Sequence, residues 1–245
     1  MTLMLHAGAQ PATYEGLRLL ATPEPTSTHV PIPHFRVVDM VRHTLAFYGH
    51  EVVGEHFGVT PDGLRFFGLL SLRSTYGPYE DTVALRNSHD KKFPVGIGFG
   101  GRVFCCDNLS FIADHVIRRK HTANARRDLP GLIGELVEPL ALQRAEQHRK
   151  FLRYQDAPMS DAEADHAILL MYRAGIINVQ RIADVLSQWQ TPAYAEWGEP
   201  TAWRLFNAVT FVLVGRIIEQ SALTPKLHQV IDLVLGDQRT AHADV

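Results

Sequence analysis

The densest group of reactive side chains lies at residues 86–90, which read RNSHD. His89 beside Asp90 can act as a general base or bind a metal ion, with the Arg86 guanidinium next to them. The candidate catalytic residues are therefore His89, Asp90 and Arg86. None of the strong metal-site or hydrolase motifs is present, and the alternative is a turn that the Asn, Ser and Asp side chains stabilise through neighbouring backbone groups.

In that turn, Arg86 and His89 are expected to point into one shared cleft near residues 107–108. The type of chemistry that such a cleft would carry out stays open. Whether the chain is an enzyme stays open at this point, and a protein without catalytic activity is the preferred interpretation. No cofactor is predicted.

Basic side chains form the second candidate site. Residues 86–153 carry 13 Lys and Arg against 7 Asp and Glu, a charge of +6, although the whole chain has a net charge of −2. Cations grouped in this way can bind the phosphate backbone of nucleic acid, with Phe93 and Phe99 as stacking groups. The simpler interpretation is that cations near a helix end complement the helix dipole. The candidate nucleic-acid-binding residues are Lys91, Lys92, Arg102, Arg118, Arg119, Lys120, Arg126 and Arg127.

Two other patterns are interpreted structurally. Gly96, Gly98 and Gly101 match G-x-G-x-x-G, but another strand-like run follows them, so the helix N-terminus that would bind a pyrophosphate is missing. The glycines instead indicate close approach of two strands. The chain also has 13 histidines. Those at positions 29, 34, 43, 50 and 56 are expected to be neutral surface residues, because no cluster of Cys or acidic residues lies at ligand spacing around them.

The hydrophobic patterns that position these residues change along the chain. A helix is predicted over residues 35–48, a hairpin over 51–59 and 64–72, further strands over 82–88 and 95–106, and a helix from 109 to about 121. Helical patterns then continue to the end of the chain, including a long one over 125–154. The predicted fold class is α+β: a helix followed by an antiparallel β-meander, covered by a helical C-terminal half.

This order of elements predicts an N-terminal arm, residues 1–30, that is mostly irregular. An α+β module over 31–122 follows, and a helical region over 123–245 packs on it as one integrated unit. With 245 residues and 46% hydrophobic content, the chain is long enough for such a core. No apolar run reaches the length of a membrane span and no signal peptide is evident, so we expect a cytoplasmic protein with no membrane partner. Cys105 and Cys106 are expected to be reduced thiols.

Four segments resemble a family of phage- and plasmid-borne proteins known as a domain of unknown function, number nine hundred and thirty-two in that series. They are residues 31–34 (PIPH), 86–90 (RNSHD), 101–108 (GRVFCCDN) and 201–210 (TAWRLFNAVT). At Lys91 and Lys92 the chain departs from the family, in which we expect a small residue after the Asp. The resemblance implies a mobile-element context and no particular activity.

These observations predict a nucleic-acid-binding accessory protein of phage or plasmid type, which binds or anneals single-stranded DNA. The predicted order of helix, meander and basic helix also loosely resembles the core of single-strand annealing proteins, which is weak evidence of function. One alternative is a metal-assisted hydrolase or nuclease that uses His89 and Asp90. Another is a protein-interaction factor that inhibits a host system. The chain is also a candidate homo-oligomer.

Overall fold

The fold combines one antiparallel sheet with helices, which confirms the predicted α+β class. It is seen in a computed structural model that describes residues 8–73, 79–103, 109–213 and 223–243. Internal contacts divide the chain into two compact units. We call them the sheet unit, Met1–Arg102 with Asp114–Arg144, and the helical unit, Val103–Ala113 with Ala145–Val245.

Six strands form the sheet, and their order across it is their order in the chain. The strands are β1 Gln10–Ala12, β2 Val52–Val59, β3 Arg65–Leu72, β4 Tyr79–Ser88, β5 Val95–Val103 and β6 Leu109–Arg119. The β2–β3 hairpin is confirmed, with Val59 opposite Phe66. Its turn is stabilised by the Thr60 hydroxyl, which bonds Asp62 at 2.5 Å, and by Gly63 at φ +71°. β1 pairs with β2, so the N-terminal arm, which was expected to be mostly irregular, contains a short strand.

The helix predicted from residue 109 to about 121 is wrong, because Leu109–Arg119 is the sheet strand β6. Ile112, Val116 and Ile117 recur at near-helical spacing, yet short apolar runs of this kind fit either structure, and β-branched residues favour strands. Pairing next to β5 decides the outcome. The predicted strand over 95–106 is described as far as Val103, and Cys105 and Cys106 lie outside the described residues.

The described helices follow the predicted order, with different limits at several ends. Their bounds are α1 Tyr14–Leu19, α2 His34–Phe47, α3 Ala125–Val137, α4 Leu140–Gln155, α5 Asp161–Arg173, α6 Val179–Gln190, α7 Ala202–Val212 and α8 Leu223–Ala243. The long helix predicted over 125–154 is two helices, α3 and α4. Pro139 lies at the break, where it has no backbone N–H to donate to the next helical hydrogen bond. None of the described helices is long and apolar enough to cross a membrane.

In the sheet unit, α2 and α3 pack on one face of the sheet. The core of this face joins Val38 and Val41 of α2 with Leu129 of α3 and with strand residues such as Phe66 and Leu85. Alternation along the strands puts Phe66, Gly68 and Leu70 on this face. We call it the core face.

Gly68 is needed on the core face because there is no room for a side chain. A Cβ atom at this position would lie 2.8 Å from the Phe66 ring and 3.3 Å from both Leu85 and Phe57. We expect Gly68→Ala to lower the free energy of unfolding by about 1–3 kcal/mol, as overpacking does in dense cores. Gly54→Ala is the control, because its Cβ would be at an ordinary 3.4 Å from Ser71. Urea unfolding of both variants tests this, and equal stabilities would contradict it.

The helical unit has an aromatic core of its own. Phe151 lies 5.1 Å from Trp203 and 5.5 Å from Phe206, measured between ring centroids. Trp189 and Trp197 are also buried. α5 begins with a capping box between Ser160 and Glu163.

Candidate functional site

The RNSHD segment, residues 86–90, contains the last three residues of β4 and the first two of the turn that follows. Its side chains lie on both faces of the sheet. Asn87 points to the core face, opposite Phe66, whereas Arg86 pairs opposite Phe67 on the other face. The Arg86 guanidinium lies 5.2 Å from the centre of the Phe93 ring, and its aliphatic stem lies over Gly96. His89 is on the core face. The prediction that Arg86 and His89 share a cleft is therefore wrong, and residues 107–108 lie outside the described part of the chain.

Ser88 and Asp90 stabilise the turn after β4, as predicted. The Ser88 hydroxyl donates to Asp90, and the amide of Lys92 donates to Ser88 Oγ at 3.1 Å and to Asp90 Oδ1 at 3.2 Å. Arg65 Nε donates to Asp90 Oδ2 at 2.7 Å. Burial opposes ionisation of Asp90, but the hydrogen bonds from Ser88 and Arg65 outweigh it and lower the pKa of this carboxyl. Asp90 is thus a structural carboxylate that accepts these bonds.

Asn87 does not bond the turn, in contrast to the prediction. Its amide nitrogen donates to the Ile32 carbonyl at 2.7 Å and to His34 Nδ1 at 2.9 Å. The side chain points into the core, so its acceptors are Ile32, just before α2, and His34, the first residue of α2, and not its own turn. Asn87 therefore ties β4 to the segment that precedes α2.

Four buried histidines meet beside this contact. His34 stacks on His89 with ring centroids 4.0 Å apart, His29 lies 5.1 Å from His121, and His89 lies 6.4 Å from His121. We call these four residues the histidine cluster. The prediction that His29 and His34 are surface residues is wrong, although His43 and His56 are exposed. Nothing in the sequence signals the cluster, because its members come from three distant segments that only the fold brings together.

Two hydrogen bonds of the cluster hold the backbone of Ile32, and two more fix the His34 ring. His89 Nε2 donates to the Ile32 carbonyl at 2.9 Å, and the Ile32 amide donates to His121 Nδ1 at 3.1 Å. His34 Nε2 donates to the Gly63 carbonyl at 3.1 Å while its Nδ1 accepts from Asn87. Each partner fixes one tautomer of a neutral imidazole.

Burial keeps these imidazoles uncharged. It lowers the pKa of His34 to about 3 and that of His121 to about 4, and neighbouring histidines add to the effect. Burial also lowers the pKa of His89. His89 Nδ1 and His121 Nε2 are buried without a hydrogen-bond partner. Within the described residues, no group of three or more His, Cys, Asp or Glu side chains can hold a metal ion. The hydrogen bonds of His89 and His121 hold the backbone of Ile32, and no hydrogen bond joins the His89 and Asp90 side chains.

The predicted basic residues gather at one end of the sheet. The turn after β4 and the last residues of β6 lie at the same end, since β4, β5 and β6 are consecutive antiparallel strands, and the His89–His121 contact joins them. We call the exposed cations of this region the basic end: Lys91, Lys92, Arg118, Lys120, Arg126 and Arg127.

Two of the predicted basic residues differ from the rest. Arg119 is half-buried and forms an ion pair with Asp128, which also accepts from Arg127 at 3.1 Å. Arg102 lies near the far end of β5, seven residues from its first residue, or about 23 Å at the usual rise per strand residue. Its backbone therefore lies well away from the basic end. Of the two predicted stacking groups, Phe99 is buried in the core, and Phe93 is half-buried beneath Arg86.

Comparisons with protein-family models, with curated proteins and with solved structures find no match for this chain. The resemblance of the four segments to a phage and plasmid family stays a prediction.

Proposed function

We propose that the chain binds the phosphate backbone of single-stranded nucleic acid, DNA in the first place, through the basic end of the sheet unit. The observation that carries the proposal is that three basic segments lie at the same end of the sheet: the turn after β4, the end of β6 and the start of α3. Asn124 precedes α3, so the positive end of its helix dipole lies in the same region and also favours phosphate.

The lysines are the best placed to contact phosphates. Lys91, Lys92 and Lys120 are exposed, and no described carboxylate forms an ion pair with any of them. Arg127 shares Asp128 with Arg119, so its charge is partly neutralised inside the protein. Phosphate contacts by free lysines displace condensed counterions, which makes the affinity depend steeply on salt.

The shape of the basic end favours a flexible strand over a duplex. It consists of a turn, a strand end and the first turn of a helix. None of the three presents a whole helix or a two-stranded ribbon for insertion into a major groove. Phosphate contacts alone carry little sequence information, so we expect binding with slight sequence preference.

Replacing Lys91, Lys92 and Lys120 together by Gln should weaken binding of a labelled single-stranded oligonucleotide. Single strands give a slope of about −0.7 per phosphate contact in a plot of log affinity against log salt, so losing three contacts should reduce the slope by about two units. Fluorescence anisotropy across a salt series measures both quantities. We expect the loss of affinity to be similar for strands of different sequence.

The matched control replaces three exposed cations outside the basic end, Arg18, Arg173 and Lys226, by Gln. It removes the same charge and should leave the slope unchanged. Equal effects of the two triple variants would show that net charge alone matters. Absence of binding by the wild type at low salt would reject the proposed function.

A further inference from the structure

A cavity in the sheet unit opens beside the segment that the histidine cluster holds. Its volume is about 470 Å³, within the range of small-ligand sites. It is lined by Ile32, Pro33, Phe35, Arg36, Met40 and Arg126. The walls therefore combine four apolar side chains with two guanidinium groups and contain no acidic residue.

The two arginines are held in different ways. Arg126 donates to the Pro31 carbonyl at 3.0 Å, which uses one of its five N–H donors. Arg36 is exposed, and its guanidinium carbon lies 5.3 Å from the centre of the Phe35 ring. No described carboxylate bonds either guanidinium, so both keep donors for an anion. A guanidinium fork suits phosphate oxygens in particular.

One wall of the cavity is fixed before any ligand binds. Ile32 is bonded through its carbonyl to Asn87 and His89 and through its amide to His121, and its side chain is buried. Pro33 follows with a restricted backbone, and α2 begins at the next residue. The histidine cluster thereby positions a rigid apolar surface next to two cations, an arrangement that limits the entropy lost on binding.

We propose that this cavity receives one nucleotide of the bound single strand, with its base against Phe35 and Met40 and its phosphate between Arg36 and Arg126. The proposal rests on the function proposed above and names a second element of the same interface. Arg126 belongs both to the cavity and to the basic end, so a strand that follows the basic end reaches the cavity without a break. A flat base, whose faces stack on aromatic and apolar side chains, joined to an anionic phosphate matches the chemistry of the lining.

The test separates base contacts from phosphate contacts. Anisotropy at low salt compares a twelve-nucleotide oligothymidylate with an abasic strand of the same length and charge. The wild type should bind the intact strand about tenfold more tightly, a typical effect of one base stacked on an aromatic side chain. Phe35→Leu should bring that ratio close to one, and Phe47→Leu, at an exposed position of the same helix, should leave it unchanged.

Arg36→Gln is the second variant, because Arg36 is exposed and its replacement should not disturb folding. It should weaken binding of both the intact and the abasic strand severalfold. A 2-aminopurine base in the strand gives an independent readout: its emission should fall on binding to the wild type and fall less with Phe35→Leu.

Each negative outcome has one meaning. Equal, salt-dependent affinity of the wild type for intact and abasic strands overturns the cavity assignment and leaves the phosphate interface standing. Equal loss of the ratio in Phe35→Leu and Phe47→Leu also overturns it. If the wild type binds neither strand at low salt, the proposed function and the cavity assignment fail together.

Discussion

Arg144→Met is expected to lower the free energy of unfolding of the sheet unit by about 3–5 kcal/mol, because it leaves a buried carboxylate without its partner. Arg144 Nε donates to Asp81 Oδ2 at 2.6 Å, and its Nη2 donates to the Arg73 carbonyl at 2.7 Å. The Asp81 side chain is only 1% exposed. Solvent therefore cannot replace the lost ion pair, unlike at a surface site.

The control is the neighbouring pair of Arg73 with Glu51, whose side chains are 64% and 59% exposed. Arg73→Met should change the stability by less than about 1 kcal/mol. The double variant Asp81→Asn with Arg144→Met should recover part of the loss, since it removes the uncompensated charge. Hydrogen exchange of β3 and β4 amides measures these changes locally. Similar protection in Arg144→Met and Arg73→Met would contradict the prediction.

Stability of the sheet unit should also fall steeply as the pH drops below about 6.5. Burial lowers the pKa of His34 to about 3 and of His121 to about 4, whereas both have ordinary values near 6.5 in the unfolded chain. At pH 5 the unfolded chain therefore binds protons that the folded chain excludes, and acid favours unfolding. Each such histidine contributes about 1.4 kcal/mol per pH unit over this interval.

Because the pKa values of both histidines are lowered in the folded protein, acid must reduce its stability. The stability that depends on uncharged His34 and His121 is fully present above pH 6.5. It decreases as the pH falls, until the pH reaches the pKa values of the folded state. Between pH 7 and pH 5 we expect a loss on the order of 3–4 kcal/mol from the two residues. Hydrogen exchange of β3 to β5 amides, corrected for intrinsic rates at each pH, follows this loss.

His121→Gln provides the variant for this experiment, because Gln can accept from the Ile32 amide and does not titrate. It should be less stable than the wild type at pH 7 but lose less stability between pH 7 and pH 5, because one of the buried imidazoles has been removed. His43→Gln, at an exposed position of α2, should keep the full slope. A pH-independent stability of the wild type between pH 7 and pH 5 would mean that these imidazoles become protonated in the folded protein.

Local signals predicted much of the fold. The Thr60–Gly63 turn chemistry predicts the β2–β3 hairpin, and the capping box at Ser160 predicts the start of α5, since each depends on residues close in sequence. β6 was misassigned because its pattern fits a helix or a strand, and only the pairing with β5 decides. Contacts between residues far apart in the sequence, such as the contact of Asn87 with Ile32, produce no pattern in the neighbouring sequence.

The same distinction applies to the candidate site. Charge is visible in the sequence, so the candidate basic residues could be named from it, and Lys91 and Lys92 are exposed in the turn after β4. The histidine cluster and the cavity were not predicted. His34 is buried because α2, β4 and the segment around Ile32 pack together. Amino-acid composition does not report which distant segments pack together.

The distribution of aromatic residues determines what intrinsic fluorescence can detect in this protein. All 3 tryptophans, Trp189, Trp197 and Trp203, belong to the helical unit, whereas the sheet unit contains none. Emission excited at tryptophan wavelengths therefore reports on one unit alone. A tryptophan placed at Phe35, on the wall of the cavity, would give the sheet unit an optical reporter of its own.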